Sequence, residues 1–401
     1  MPMANKKILA LTDMDFRGSG YFYLMSPILQ GLSSQGYDIK VVGLGYTGEE
    51  HLFDYTIVPT KETSEGVATA TNIIKLWKPD LFICGMDILL QVHIFEQLSK
   101  LGIKYMAITP LENPPLRQSW AAQLMMMNYT FFISEIGADA AQKAGVDKSG
   151  YLPIGINTTL FHPATNEEKQ NIRKGLGFGK DDYIILTVAD NQERKNLWAS
   201  MKVVSLLLHP SLTSEEFDKI CIGDSTKKVA DYEKVGSFKH VLVTREKSVV
   251  GYNLVDLAST MDINKEFTII ERGIPQDELR NLYVMSDVFL LLSKAEGLGI
   301  PILEAMACEI PVVATDTGAI WELLSDGRGY LVPEKYGFID VWGNSWRSMA
   351  DIEYTVAAIL RLFKSGTSLE LSRIREYVIA RTLGESVSLV KEQIRIILDE
   401  N

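Results

Sequence analysis

The chain has 401 residues, a length that predicts two α/β domains rather than one. Hydrophobic residues make up 46% and charged residues 23%, which is typical of a folded globular protein and excludes a disordered or fibrous chain. The formal net charge of −11, with no cluster of Lys and Arg, excludes a nucleic-acid binder. Any anionic ligand must therefore be held by a local site.

The cysteines and the apolar segments predict the cellular setting. Cys84, Cys221 and Cys308 are widely spaced in apolar surroundings, which fits neither a disulfide framework nor a CxxC metal site. No apolar segment approaches the roughly 18 residues that span a bilayer, and the N-terminus lacks the apolar core of a signal peptide. We expect a reducing, cytoplasmic setting, no transmembrane segment and at most peripheral membrane contact.

Short apolar runs alternate with helical patterns in the first part of the chain. The helical patterns are YLMSPILQGLSSQG and ATATNIIKLWK, and the strand patterns are KILALT, DIKVVGL, DLFICG, KYMAIT and TFFIS. This βαβ order predicts a parallel sheet covered by helices. Pro153, Gly155 and Pro163 then collect in a polar segment, and we place the domain boundary near residue 163.

A second series of strand patterns follows this boundary: YIILTVA, FDKICIG, FTIIERG, DVFLLLS, IPVVAT and GYLVP. A helix is expected from about Asn196 to Leu208, and a helical or irregular span around residues 251 to 261. The series predicts a second open parallel sheet. Ligands of such sheets bind beyond the carboxyl ends of the strands, so two facing domains would share a site in the cleft between them.

The pair Asp13-x-Asp15 at the end of the first strand has three interpretations. A phosphatase of the haloacid dehalogenase type would use Asp13 as nucleophile, but it requires Thr or Val where Arg17 stands. A metal-dependent glycosyltransferase also uses an Asp-x-Asp pair, although usually deeper in the chain. Acidic residues where a strand enters a turn are common, and this structural interpretation is favoured.

Gly18 and Gly20 follow the same strand and precede a predicted helix. A glycine loop at this place lets backbone N–H groups approach a phosphate or a sugar closely. The fuller GxGxxG pattern is absent, because Phe22 and Tyr23 follow. The loop alone therefore predicts a ligand contact only weakly.

The most informative segment is residues 293 to 333. After the strand DVFLLLS, Glu296 begins a loop with Gly297 and Gly299, and Pro301 stands where a helix would begin, with Glu304 on its first turn. A helix N-terminus after a glycine turn offers N–H groups and a positive dipole end to a diphosphate. Carboxylates beside it can accept hydrogen bonds from sugar hydroxyls, so one interpretation is a nucleotide-sugar pocket. The alternative is an ordinary strand-turn-helix in which Glu304 is only an acidic residue at the start of the helix.

Residues 293 to 333 resemble the donor-binding signature of the retaining glycosyltransferases of family 4. In that signature two Glu residues, separated by seven residues, bracket a Gly-x-Gly-x-Pro turn, as Glu296 and Glu304 do here. The resemblance extends to PQDELRNLYVMSDVFLLLS, ICIGD, FFISEIGADAAQKAGV and YLPIGINTTLFHP, in the right order, and covers most of the chain from about residue 130 to 333.

The resemblance implies a role for individual residues of this chain. Glu296 would contact hydroxyls of the transferred sugar, and Glu304 the ribose. The donor would also be contacted by Gly297, Leu298, Gly299 and Thr317 of the signature, and by the N-terminal glycines Gly18 and Gly20. Lys195 in NQERKN falls where the family neutralises the donor phosphates, which helps the nucleoside diphosphate leave.

The chain departs from the family pattern at two places. The family usually has an Arg five residues before the lysine, but Asp190 stands there, so Arg194 or nothing would supply the second positive charge. The family often has a His after the strand that corresponds to KYMAIT, where this chain has Pro110, Leu111 and Glu112. Glu112 could take a sugar-contacting role instead.

The resemblance implies the GT-B fold, with two Rossmann-like domains facing a cleft. We expect an acceptor-side domain at residues 1–163, a donor domain at 164–376 and a C-terminal helix within 377–401 that crosses back to the first domain. The implied reaction moves a sugar from a UDP-, GDP- or ADP-sugar to the hydroxyl of a carbohydrate, lipid-linked or other acceptor, with retention and no metal requirement (EC 2.4). The alternative is a catalytically degenerate sugar-nucleotide or glycan-binding protein of the same fold.

Overall fold

The computed structural model describes residues 6–209, 237–341 and 345–399. The chain divides into two compact units, one formed by residues 1–155 and 381–401 and the other by residues 156–380. The boundaries expected from the sequence follow residues 163 and 376, whereas these divisions follow residues 155 and 380. Each unit contains a parallel sheet with its own core.

The first unit is built on seven parallel strands in the spatial order β3-β2-β1-β4-β5-β6-β7. The predicted parallel sheet is confirmed, and the order reverses between β1 and β4. The strands are β1 (Lys7–Asp13), β2 (Asp38–Leu44), β3 (Thr56–Thr60), β4 (Leu81–Gly85), β5 (Tyr105–Thr109), β6 (Tyr129–Phe132) and β7 (Ser149–Tyr151).

Helices connect these strands and bury the sheet. The central strands β4 and β5 are buried along their whole length, as parallel strands covered on both faces must be. The helices are α1 (Gly20–Ser33), α2 (Thr63–Trp77), α3 (Ile88–Leu98), α4 (Gln118–Leu124) and α5 (Glu135–Lys143), with a 3₁₀ turn at Ser99–Leu101.

The second unit contains six parallel strands in the order β10-β9-β8-β11-β12-β13 and a separate antiparallel hairpin, β14-β15. The second predicted parallel sheet is also confirmed. The strands are β8 (Asp182–Val188), β9 (Ser237–Thr244), β10 (Phe267–Glu271), β11 (Val288–Leu291), β12 (Val312–Thr315), β13 (Tyr330–Val332), β14 (Glu334–Ile339) and β15 (Trp346–Ala350).

The described helices of the second unit lie between and after its strands. The predicted helix from about Asn196 is confirmed, and it begins one residue later. The helices are α6 (Asn166–Gly175), α7 (Leu197–Leu208), α8 (Leu254–Thr260), α9 (Gln276–Met285), α10 (Ile300–Ala307), α11 (Gly318–Leu324), α12 (Ile352–Ser365) and α13 (Leu371–Ile379).

The last helix, α14 (Leu383–Asp399), belongs to the first unit although it ends the chain. It packs on α1, where Gly31 leaves room for Val387: a Cβ on that glycine would lie 2.6 Å from the valine Cγ2. Lys104 Nζ donates a hydrogen bond to the carbonyl oxygen of Ile397 at 2.6 Å. None of the helices that the structure describes is long and apolar enough to cross a membrane.

The strand predictions missed several elements. The predicted strand FDKICIG lies outside the described residues, whereas β9, SFKHVLVT, was not predicted. The edge strand β3 was also missed, because its Pro59 is atypical of a central strand. The hairpin β14-β15 was not predicted at all, and residues 342 to 344 between its strands lie outside the described ranges.

Candidate active site

The candidate site of the second unit lies at the point where the strand order of its sheet reverses, between β8 and β11. The chain places β9 and β10 on one side of β8, and β11 on the other. The loops after β8 and β11 therefore diverge, and a crevice at this position is where open α/β sheets bind ligands. A 3₁₀ turn at Glu193–Lys195 follows β8, and the loop 292–299 follows β11.

The carboxylate of Glu296 joins these two loops. Lys195 Nζ contacts its two oxygens at 2.6 and 2.8 Å, and Arg194 Nη1 lies 3.3 Å from Oε2. The hydroxyl of Ser293 donates a hydrogen bond to Oε1 at 2.6 Å. The structure thus brings together the three residues for which the sequence predicts a catalytic role.

Glu296 is buried but remains ionised. Burial by itself would raise its pKa, but the charges of Lys195 and Arg194 and the hydrogen bonds from Lys195 and Ser293 lower the pKa to about 2. The carboxylate is therefore a hydrogen-bond acceptor at any physiological pH. Such a group suits the binding of sugar hydroxyls, which can donate to it.

A buried asparagine fixes the loop that carries the two cations. Asn196 adopts a left-handed conformation with φ of 53° at the start of α7, and its Nδ2 donates to the carbonyl oxygen of Leu292 at 3.1 Å. Arg194 Nη1 also donates to the carbonyl oxygen of Ala295 at 2.8 Å. The cations are thereby held against the loop after β11 by main-chain acceptors as well as by Glu296.

The predicted glycine turn leads into α10. Gly299 has a φ of 92°, a left-handed conformation that favours glycine, and Pro301 stands in the first turn of the helix. Gly297 and Leu298 are buried in the same turn. One detail differs from the prediction: because α10 begins at Ile300, Glu304 is its fifth residue and lies on the second turn, not the first.

Glu304 differs from Glu296 in the direction in which its surroundings shift its pKa. It is buried, and the hydroxyl of Tyr283 on α9 donates a hydrogen bond to its Oε2 at 2.7 Å. Burial raises the pKa of Glu304 to about 7, although the tyrosine hydrogen bond acts in the lowering direction. The two carboxylates of the signature therefore differ in charge state near neutral pH.

Thr317 lies at the start of α11, directly beyond the carboxyl end of β12. Its hydroxyl is 3.0 Å from the hydroxyl of Ser348 on β15, and the amide of Ser348 donates to the carbonyl oxygen of Lys294 at 2.9 Å. The hairpin thus links Thr317 to the loop that carries Glu296.

Asp190, the residue that departs from the family pattern, forms an ion pair. Arg245, which directly follows β9, donates from Nε to Asp190 Oδ1 at 2.8 Å and from Nη2 to Oδ2. Burial would raise the pKa of Asp190, but Arg245, and to a lesser extent Arg272 after β10, lower it. Arg245, which follows the neighbouring strand β9, therefore lies beside Asp190.

The glycine loop of the first unit follows β1. Gly18 has a φ of 106°, and Gly20 begins α1 with no atom within 4 Å of the place where a Cβ would stand. Asp13 holds this loop, because its Oδ2 accepts a hydrogen bond from Ser19 Oγ at 2.8 Å and its Oδ1 from the amide of Asp15 at 2.9 Å.

Asp15 pairs with Arg17, whose Nε lies 2.9 Å from its Oδ1. Both acids of the Asp-x-Asp pair thus brace the turn that leads to the glycines. Among the residues that the structure describes, no three His, Cys, Asp or Glu side chains are grouped as metal ligands. Glu112, the weakly predicted sugar contact, is half-buried in the loop after β5.

Three residues that stabilise the site were not predicted from the sequence. Ser293 lies three residues before Glu296 on the same loop. This short spacing could have indicated a contact between the two side chains. Tyr283 lies in the segment PQDELRNLYVMSDVFLLLS, which was noted only for its resemblance to the family, and no role was predicted for this residue. Arg245 follows a strand that was not predicted, so no local pattern indicated it.

Residues 168–337 match the family model described as Glycosyl transferases group 1. The matched segment lies inside the second unit and contains Arg194, Lys195, Glu296 and Glu304. This segment of the chain is therefore similar to the group 1 glycosyltransferases, and the two parallel-sheet units have the GT-B fold.

Known proteins similar to this chain include glycosyltransferases, and solved structures share its fold. D-inositol 3-phosphate glycosyltransferase of Paenarthrobacter aurescens is 23% identical over 258 residues, which are 60% of this chain and 54% of that protein. Sucrose-phosphate synthase of Thermosynechococcus elongatus superposes with a TM-score of 0.73 at 16% identity, over 98% and 99% of the two chains. Anabaena HepE, solved with UDP-glucose, gives 0.70 at 13% identity, over 97% and 99%. The sequence matches span about half or less of the curated relatives' lengths.

Proposed function

We propose that this protein transfers a sugar from a nucleoside-diphosphate sugar to an acceptor hydroxyl, with retention of the anomeric configuration. The observation that carries the proposal is the buried Glu296 carboxylate, held ionised by Lys195 and Arg194 at the switch point of the second sheet. The match of residues 168–337 to the family model and the UDP-glucose bound to HepE support a sugar nucleotide as the donor.

The reaction breaks the bond between the anomeric carbon and the diphosphate oxygen, and forms a bond from that carbon to the acceptor oxygen. The proton of the acceptor hydroxyl passes to the departing phosphate oxygen, which can act as the base. Negative charge grows on the leaving diphosphate, and a lysine ammonium beside it stabilises the transition state more than the ground state. We assign this role to Lys195.

The two carboxylates bind the donor rather than attack it. Glu296 accepts hydrogen bonds from hydroxyls of the transferred sugar, since it is ionised and buried. Glu304 binds the ribose, with Tyr283 holding its carboxyl group. Gly297, Leu298 and Gly299 offer main-chain contacts to the donor, and the donor contacts of Gly18 and Gly20 stay a prediction.

We infer that the diphosphate needs no metal ion, because side-chain cations and the N-terminus of α10 supply positive charge at the site. The acceptor side is assigned to the first unit, with Glu112 as a candidate contact. The buried Cys84 and Cys308, which are not joined in a disulfide, support the proposal of a cytoplasmic setting.

The test is a transfer assay with UDP-glucose, GDP-mannose and ADP-glucose in EDTA, over a panel of glycoside acceptors. Release of the nucleoside diphosphate is followed in time, and the anomeric configuration of the product is read by proton NMR. We expect turnover with one nucleotide class and an α-linked product from an α-linked donor. Donor binding without hydrolysis or transfer to any acceptor would instead favour a degenerate binding protein of the same fold.

A further inference from the structure

A cavity in the first unit lies between the turn that follows α1 and one face of α14. Its lining residues are Gln35, Tyr37, Ser388, Lys391, Glu392 and Arg395. The volume of the cavity is about 370 Å³, which falls within the range of roughly 300 to 1,000 Å³ that small-molecule sites occupy. The cavity is therefore large enough for a small organic ligand.

This cavity lies at the opposite edge of the sheet from the glycine loop. Gly18 and Gly20 follow the carboxyl end of β1, whereas Tyr37 directly precedes Asp38, the first residue of β2. Because β1 and β2 are parallel, these positions lie at opposite edges. The 14 residues of α1 separate the two edges by about 20 Å. A small ligand in the cavity would therefore not contact Gly18 or Gly20.

Other contacts fix both walls of the cavity. In the turn after α1, the amide of Gly36 donates a hydrogen bond to the carbonyl oxygen of Ser33 at 2.9 Å. Val387 of α14 packs against Gly31 of α1, which holds the two helices together. The α14 residues of the cavity share one face of the helix, because residues three or four positions apart are neighbours there. The cavity is thus formed before any ligand binds.

Tyr37 brings a hydroxyl without a partner to this cavity. The residue is 4% exposed, and its hydroxyl oxygen is buried with no hydrogen-bond partner among the residues that the structure describes. A buried polar group in this state costs free energy, and folded proteins satisfy nearly all such groups. Burial raises the pKa of Tyr37, so the hydroxyl keeps its proton at physiological pH and can donate it to an acceptor.

Lys391 gives the cavity a positive charge. Its side chain is exposed, and it forms no ion pair within the described part of the chain. Glu392, the acidic residue of the wall, is neutralised by Arg395, whose Nη2 donates to Oε1 at 2.6 Å and whose Nε donates to Oε2 at 3.1 Å. The groups that remain for a ligand are therefore donors: the ammonium, the hydroxyl of Tyr37 and the side-chain amide of Gln35.

We propose that this cavity binds a small organic oxyanion, a phosphate ester or a carboxylate, through Lys391 and Tyr37. The ammonium neutralises the anion, and the hydroxyl of Tyr37 donates to one of its oxygens. The bound ligand joins the turn after α1 to α14 and so stabilises the attachment of the last helix. This site goes beyond the proposed function, because it uses none of the residues assigned to the donor or the acceptor.

The test measures ligand binding to the full chain by isothermal titration calorimetry at low ionic strength. The probes are glucose 6-phosphate and succinate, with glucose as the uncharged control. The variants are Lys391→Gln and Tyr37→Phe. Lys75→Gln, at an exposed lysine on α2 of the same unit, is the matched control for the loss of one lysine. Lys195→Ala separates this cavity from the candidate donor site.

We expect at least one of the two anions to bind the wild type and glucose not to bind. Lys391→Gln should weaken anion binding about tenfold and Tyr37→Phe about fivefold, the effects of one charge-assisted and one neutral hydrogen bond. Lys75→Gln and Lys195→Ala should bind as the wild type does. Without ligand, Tyr37→Phe should keep or raise the Tm, because it removes a hydroxyl that has no partner.

Three results would overturn the proposal: neither anion binds the wild type, both cavity variants bind as tightly as the wild type, or Lys195→Ala alone loses binding. The last result would mean that the anion occupies the donor site. Because Lys391 is exposed, its variant tests the proposal even if Tyr37→Phe fails to fold. Donor binding and sugar transfer are not measured, so failure here leaves the proposed function standing.

Discussion

Lys195 Nζ lies 2.6 and 2.8 Å from the two carboxylate oxygens of Glu296, which ties the loop after β8 to the loop after β11. The pair is nearly buried, and the flanking Arg194 and Ser293 leave the carboxylate well satisfied. Such a charge pair is costly to break, because removing one partner leaves a buried charge behind. It also sets the lysine at the place where diphosphate charge would grow.

We predict that Lys195→Ala mainly lowers kcat, by about 100-fold, with a much smaller change in the donor KM. The lysine stabilises the negative charge that grows on the diphosphate as the glycosidic bond breaks, and loss of one such electrostatic contact has about this effect. Steady-state kinetics with the active donor check this prediction, and Arg373→Gln on α13, whose side chain is 81% exposed, serves as the control. Normal turnover in Lys195→Ala would contradict the assigned role.

Glu304→Ala should raise the donor KM strongly and change kcat less, because the residue is assigned to ribose binding in both the ground state and the transition state. Glu304→Gln keeps the shape of the side chain and separates the loss of charge from the loss of packing. A donor KM of Glu304→Ala equal to that of the wild type would contradict the assignment of Glu304 to ribose binding.

Glu304 should also make stability depend on pH. Its folded pKa of about 7 lies above the usual value of 4.5, so the folded state holds a proton that the unfolded state has lost between these values. Stability from this group is therefore full below pH 4.5 and is lost as pH rises through about 7. We predict that the Tm of Glu304→Gln rises relative to the Tm of the wild type as the pH increases from 5 to 8, as measured by calorimetry. A Tm difference between the two proteins that does not change with pH would argue against the raised pKa.

The two glycines of the first unit should respond differently to alanine. Gly18→Ala should lower the free energy of unfolding by about 1 to 2 kcal/mol, because its φ of 106° is unfavourable for a residue with a Cβ. Gly20→Ala should not lower the stability, since no atom lies within 4 Å of the added carbon. If the loop contacts the donor, Gly20→Ala should still raise the donor KM. Chemical denaturation and donor kinetics on both variants test this contrast.

The sequence predicted the two parallel sheets well, because buried parallel strands are continuous apolar runs that are easy to recognise. The strands that it missed are the atypical ones. The edge strand β3 contains Pro59, and β9 was not predicted, whereas the predicted strand FDKICIG lies outside the described residues. The antiparallel hairpin has exposed residues and little apolar patterning.

The candidate site was predictable where its residues are close in sequence. Glu296, Gly299 and Glu304 form one segment, and the structure places them on one loop and helix. Tyr283 and Arg245 were not predictable in this way, because each contacts its partner from another element of the fold. Residue spacing also cannot show that Glu296 and Glu304 differ in pKa, since burial and neighbouring charges set that difference.

The most direct test of the donor site is a thermal-shift screen of UDP-, GDP- and ADP-sugars with the wild type and Glu304→Ala, in EDTA and then with Mn²⁺. A ligand that binds only the folded state raises the Tm by mass action. We predict that one nucleotide class raises the Tm of the wild type without metal, and that this shift is lost in Glu304→Ala. No shift with any sugar nucleotide, or a shift that requires Mn²⁺, would contradict the proposed metal-independent donor site.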